Sequence, residues 1–179
     1  MLILPKQTLL CVGKLPKQHS YIEQGWQHYA KLIKPYVAGL TVVEVPETPA
    51  SPTMPIAKIL STEAQRLQAP WQAAAYRIAL VPQGETYTSP ELAQQLNQRL
   101  GRLGDVVATQ PTGGRGQGQA SSIVWLVGGP HGLCSSLVAQ AHWQVSLGQL
   151  TWPHPLVRLL WLEQLYRSCR LLNGHAYHK

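Results

Sequence analysis

Acidic side chains are scarce in this 179-residue chain: eight Asp and Glu face fifteen Lys and Arg, for a formal charge of +7. The shortage is uneven. Beyond Asp105 the only acid is Glu163, while Arg115, Arg158, Arg167, Arg170 and Lys179 share that stretch. The C-terminal part should therefore project a positive potential suited to phosphates, which by itself does not separate RNA from DNA or from an anionic membrane. Cysteine is sparse as well. Cys11, Cys134 and Cys169 are far apart, odd in number and set among apolar neighbours. That excludes a disulfide framework and the usual zinc spacings, and it predicts reduced core thiols in a cytosolic protein. No long hydrophobic run is present. The apolar start, Met1 to Val12, is broken by Pro5, is too short for a membrane span and lacks a small-residue cleavage site. The expected location is the cytoplasm, with no membrane partner.

Several chemical signatures are missing too. No G-x-G-x-x-G opens a helix after the first strand and there is no G-x-x-x-x-G-K-[ST] loop, which disfavours a Rossmann dehydrogenase and a P-loop NTPase. H-E-x-x-H and G-x-S-x-G are absent, which lowers metallohydrolase and serine-hydrolase readings.

What is present is a hydrophobic fraction of 45%, enough for one ordinary α/β domain over 1–179 to bury a core without metal or disulfide. Thr8 to Val12 predicts a strand, Tyr21 to Lys34 a helix and Leu40 to Val45 a second strand. Pro46, Pro49, Pro52 and Pro55 hold the chain in a surface loop until a helix starts near Pro55 and runs through Leu67. Arg77 to Val81 is a third strand, and Ser89-Pro90-Glu91 supplies an N-cap, a first-turn proline and an early acid for a helix to about Leu100. Residues 101–122, with Gly113, Gly114, Gly116 and Gly118 close together, predict a mobile Gly/Gln-rich insertion. Strand Ile123 to Val127, helix Leu133 to Ala141, strand Trp143 to Leu147 and helix Leu156 to Leu172 follow. This alternation predicts a mostly parallel sheet with helices on both faces, its ligand site outside the carboxyl ends of the strands. The segments there are Val81 to Gly84, Gly128 to Gly132 and Gly148 to Pro155, each rich in Gly or Pro.

The final helix is apolar on two sides. A wide arc holds Leu159, Trp161, Leu162, Leu165, Tyr166, Cys169 and Leu172, and a narrower one holds Val157, Leu160 and Leu171. A helix that buries two faces sits between its own core and a partner, which predicts a homodimer. Arg158 projects into the wide arc, where it needs an anionic partner or a route to solvent; an ion pair and a ligand contact both satisfy it. Arg167 follows Glu163 at the spacing of a helical ion pair, whereas Arg170 has no acid so placed.

Gly128-Gly-Pro-His-Gly132, Leu150-Thr-Trp-Pro-His-Pro-Leu-Val-Arg158, Glu163-Gln-Leu-Tyr-Arg167 and the ending Tyr177-His-Lys179, in that order and spacing, resemble the signature of the RlmH family of the SPOUT class. The likeness extends upstream through Val12-Gly-Lys14, Glu44-Val-Pro46 and Gln83-Gly84. The resemblance implies an α/β SPOUT fold whose C-terminal segment is threaded into a deep trefoil knot, with S-adenosylmethionine bent in that knot. It implies a homodimer whose C-terminal tail helps form the substrate site, and methylation of N3 of a pseudouridine in 23S ribosomal RNA on the assembled ribosome, without metal. It assigns cofactor contacts to Leu80, Gly129, Gly148, Gln149, Leu150, Thr151, Trp152 and Pro153, and catalysis to His178, Arg167 and Tyr177. Arg158, Arg170 and Lys179 are expected to meet the RNA. The rival readings are a SPOUT enzyme acting on another RNA and a non-catalytic RNA-binding or ribosome-assembly module.

For N3 to accept a methyl group its proton must leave and the nitrogen must lie in line with the methyl carbon. The protein is then left to orient the groups and stabilise a uracil-type anion, with Arg167 or His178 as donors. His154, between two prolines, is expected to shape the cofactor loop rather than act as a base. The chain departs from the family at His131, in place of an acidic or amide residue, and at Glu85, where a Lys commonly follows Gln-Gly. Its Gly-rich stretch, 104–119, is also longer.

Overall fold

Two strands, β1 (Gln7–Val12) and β4 (Ile123–Val127), are buried along their whole length. Successive side chains of a strand point to opposite faces, so an uninterrupted apolar strand must be covered twice. In the computed structural model, which describes residues 1–14, 20–72, 76–101, 123–175 and 177, that is what happens. Leu9 and Cys11 join Ile123, Trp125 and Val127 in one core, while Leu10 and Val12 join Val124 and Leu126 in another. Each fully buried side chain of this kind stabilises by about 1.5–3 kcal/mol.

Around this pair the sheet has the order β2-β1-β4-β3-β5, every pairing parallel, with β2 at Leu40–Val45, β3 at Tyr76–Glu85 and β5 at Trp143–Val145. The first core is closed by α1 (Ser20–Ile33), α3 (Ser89–Leu96) and α5 (His154–Leu172) through Ile33, Leu92, Leu96, Trp161 and Leu165. The second is closed by α2 (Ile56–Gln72) and the short α4 (Ser135–Val138) through Leu67, Trp71 and Leu137. Helices therefore cover both faces, as the alternation predicts. Among the described residues, no helix is long and apolar enough to cross a membrane.

Several boundaries differ from expectation for local reasons. The cap of α3 is Thr88, not Ser89, because only Thr88 stands three residues before Glu91 and can share a reciprocal capping box with it. The Ser89 hydroxyl donates instead to Gln164 of α5 at 2.9 Å. β3 runs on past Val81 to Glu85 because Gly84 lets β5 approach: a Cβ there would lie 2.6 Å from the Val145 carbonyl carbon. α4 is shorter than the expected Leu133 to Ala141, and α5 begins earlier, at His154, after Pro153. Cys134 is half-buried rather than a core thiol, whereas Cys11 and Cys169 are buried. Desolvation pushes those two thiols up to about 11 and about 12. Residues 102–122 of the expected insertion, and His178 and Lys179, lie outside the described residues.

At the start of β5, the His142 ring stacks on Tyr76 at 5.1 Å, and its Nδ1 accepts the Arg77 backbone N–H at 2.9 Å. Burial, and then the Arg77 charge, hold the imidazole below its usual 6.5. The unfolded chain therefore binds this proton more readily, so the stabilisation is present above pH 6.5 and is lost as pH falls below it. Urea midpoints should drop on going from pH 7 to pH 5.5, and His142→Gln should flatten that slope; an unaltered slope would remove His142 as its source.

Candidate functional site

The carboxyl ends of β3, β4 and β5 face one another across a cavity of about 130 Å³. Leu80, Val81 and Pro82 wall one side, Val127 and Gly128 another, and Ser146, Leu147 and Gly148 a third; Leu150 to Trp152, His154 and Val157 complete the lining. The strip Ser146–Gly148 and Trp152 also borders a second cavity of about 280 Å³, which extends toward Tyr87, Ser89 and Gln164. The strip turns at Gly148, whose φ of +112° lies in a region that L side chains rarely adopt. Ser146 pins the turn, taking the Gly148 N–H at 3.2 Å and donating its own hydroxyl to the Gly148 carbonyl at 2.9 Å. Beyond it Leu150 stands 68% exposed and Trp152 36% exposed. Apolar groups left in water at a cavity mouth mark a surface that a ligand or a partner covers.

Of the residues expected to hold a cofactor, Leu80, Gly148, Leu150, Thr151 and Trp152 line the smaller cavity. Gly129, Gln149 and Pro153 adjoin it in sequence but are not in its lining. A side chain on Gly129 would point toward Val12 and the Glu63 carboxylate, at 3.0 and 3.7 Å. The Pro153 carbonyl accepts the first N–H bonds of α5, from Leu156 and Val157. Sequence reasoning missed Ser146 and Val157 in the lining, and it missed Glu63, a 3% exposed acid on α2 whose Oε1 accepts the Thr48 backbone N–H at 2.9 Å. In the sequence Glu63 is one more polar residue of a helix, and nothing signals its burial.

Arg158 is buried and is not in the lining of either cavity. Its side chain is 4% exposed; it pairs with Glu44 at 2.6 Å and donates to the carbonyls of Val12 at 3.0 Å and Gly13 at 2.6 Å. Of the two partners open to it from sequence, the ion pair is the one the structure contains. The Glu85 carboxylate is likewise engaged within the chain, by the Tyr87 hydroxyl, by Trp143 Nε1 at 3.3 Å and by Arg99 at 3.6 Å. The Tyr87 bond is the main reason its carboxyl lies below the usual range. His131 is exposed at the tip of its turn.

A second group forms at the far end of α5. Arg167 is ion-paired with Glu163 at 2.6 Å and lies 4.8 Å over the Tyr177 ring; Arg170 donates to the Tyr166 hydroxyl at 3.1 Å. Arg167 stands about four turns beyond Pro153, roughly 21 Å along the axis at 1.5 Å per residue. One chain thus keeps its Gly- and Pro-rich loops and its Arg–Tyr group at opposite ends of a single helix.

Residues 6–178 match the family described as Predicted SPOUT methyltransferase. The chain is also 33% identical over 174 residues to Ribosomal RNA large subunit methyltransferase H of Bordetella petrii, covering 97% of this chain and 99% of that protein. The protein belongs to the SPOUT methyltransferase family. Among solved structures, a "probable methylase family protein" from Haemophilus influenzae Rd KW20 is 13% identical, with a TM-score of 0.48 over 100% of this chain and 72% of that one.

Arg158 ties α5 to the ends of β1 and β2 through Glu44 and the Val12 and Gly13 carbonyls. Removing that guanidinium takes a donor from the Val12 and Gly13 carbonyls. Arg158→Ala should therefore cost about 1.5–3 kcal/mol of stability in urea unfolding. A loss below about 1 kcal/mol would show that the pair is not a structural tie.

Proposed function

We infer that this protein is a homodimeric enzyme that transfers the methyl group of S-adenosylmethionine to N3 of a pseudouridine in 23S ribosomal RNA, on the assembled ribosome. The observation that carries the reading is the likeness, over nearly the full length of both chains, to a protein named for methylating large-subunit ribosomal RNA. The excess of basic over acidic residues and the arginines paired with tyrosine rings at the end of α5 favour an RNA substrate over other methyl acceptors.

The volumes of the two cavities support a donor that spans both. Small-molecule sites usually enclose about 300–1,000 Å³, so the 130 Å³ cavity alone is too small for a nucleoside bearing an amino-acid arm. Together with its 280 Å³ neighbour it offers a bent ligand two lobes that meet at Gly148 and Trp152. Leu80, Gly129, Gly148, Gln149, Leu150, Thr151, Trp152 and Pro153 would hold it there, in the crossing of a deep trefoil knot. When bound, the donor supplies a sulfonium methyl carbon that is already strongly electrophilic. The protein's share is then to orient N3, receive its proton and stabilise the anion that remains. Arg167, fixed by Glu163, is the cation for that anion. His178, Arg170 and Lys179 complete the acceptor side of this reading.

With Arg167 and Tyr177 at the opposite end of α5 from the donor loops, the acceptor side is best supplied by a second copy of the chain. Of the narrow apolar arc, Val157 and Leu160 border the cavities, and Leu171, half-buried and outside both linings, offers an apolar contact for it.

Calorimetric titration should show that S-adenosylmethionine binds, and ribosomes lacking the modification should gain a methyl group at pseudouridine N3. Binding without that transfer would redirect the search to another RNA, and no binding would favour a non-catalytic module. Gly148→Val and Arg167→Ala should each be inactive, yet co-expressed chains should regain about a quarter of the sites, since only one site of each mixed dimer is intact. No recovery would defeat the shared site.

A further inference from the structure

Glu163 is the only acid beyond Asp105, and its two carboxylate oxygens have different partners. Oε1 accepts from both Nε and Nη2 of Arg167, at 3.0 and 2.6 Å. Oε2 accepts from the side-chain amide of Gln164 at 2.6 Å. The oxygen of that amide is taken in turn by the Ser89 hydroxyl, which donates to it at 2.9 Å from the first turn of α3. Ser89 is available for this bond because Thr88 caps that helix. Side chains of two helices thus form one hydrogen-bonded line, from Ser89 through Gln164 and Glu163 to Arg167, whose guanidinium lies 4.8 Å over the Tyr177 ring.

Resting on the reading that Arg167 serves the methyl acceptor, we propose that Gln164 is a positioning residue for the transfer. The terminal torsion of a glutamate is broad, so the rotamer of Glu163 does not by itself set the plane of its carboxylate. Gln164 sets it: with Oε2 held by the amide, Oε1 is left to face Arg167. The Gln164 amide has the same freedom, and it carries an acceptor at one end and donors at the other. The Ser89 hydroxyl takes the acceptor, which turns the donors to Glu163; an amide turned over would set its oxygen against the carboxylate. A hydrogen bond to an ionised acceptor is about twice as strong as a neutral one, and the Glu163 and Arg167 side chains are only 15% and 24% exposed. Ser89 and Gln164 also line the 280 Å³ cavity. Both ends of the amide are engaged within the chain, which favours orientation of Arg167 over contact with a ligand.

Gln164→Leu keeps a good helix former at this position and removes both hydrogen bonds. In that variant kcat for methyl transfer to ribosomes lacking the modification should fall about ten- to hundredfold, what a hydrogen bond to a charged group amounts to. The KM for ribosomes and the affinity for S-adenosylmethionine should stay within about twofold, because the amide acts on the transfer through Arg167 and not on binding. Ser89→Ala, which leaves α5 untouched, should lower kcat in the same way by about fivefold, as loss of a neutral hydrogen bond does. Glu163→Ala should lower kcat at least as far as Gln164→Leu, and the two combined no further, since Gln164 acts only through that carboxylate. Full kcat in Gln164→Leu, weakened S-adenosylmethionine binding in its place, or losses that multiply in the double variant would overturn the proposal while leaving the enzyme's function intact. Wild-type protein that methylates no such ribosomes would defeat the parent reading, and this one with it.

Discussion

Arg158 gathers the ends of two strands onto the first turn of the last helix. Its guanidinium takes the Glu44 carboxylate from β2 and the Val12 and Gly13 carbonyls at the end of β1, almost out of contact with water. Such a group is tolerated because its charge is paired and both terminal nitrogens of the guanidinium are hydrogen-bonded. The consequence reaches the site. The loop that carries Gly148 to Pro153 starts from β5 and ends on this helix, so fixing the first turn of α5 fixes one side of both cavities.

The helix that begins at this tie also separates two groups of side chains. Near its start lie the loops that wall the cavities, and near its end lie Arg167, Arg170 and Tyr177. A rigid element about 28 Å long, at 1.5 Å per residue, cannot fold back on itself. Within one chain, the helix holds these two sets of side chains apart.

Much of the fold was legible because its centre follows simple periods. The uninterrupted apolar run Ile123 to Val127 demands cover on both faces, and alternation of such runs with helix-period segments leads to a parallel sheet. Boundaries were less legible where one tertiary contact decided them. Gly84 extends β3 because β5 lies against it, and Thr88 rather than Ser89 caps α3 because of its distance from Glu91. The strand-end loops stood out in sequence by their glycines and prolines, and five of the eight residues expected to hold the donor line the cavity there. Glu63 and Val157 could not be found this way, since burial and facing depend on which helix packs where.

The sequence by itself determined the layered α/β architecture and the family, because periodicity, capping and short motifs are properties of neighbouring residues. Only the tertiary structure decided what each charged group does. Arg158 became a strut once Glu44 and two carbonyls were brought within 3.0 Å of it, and Tyr177 became part of an arginine–tyrosine cluster once it was laid against Tyr166 and Arg167 of α5. Partners for a side chain are chosen by long-range packing, and a linear pattern records only the distance along the chain.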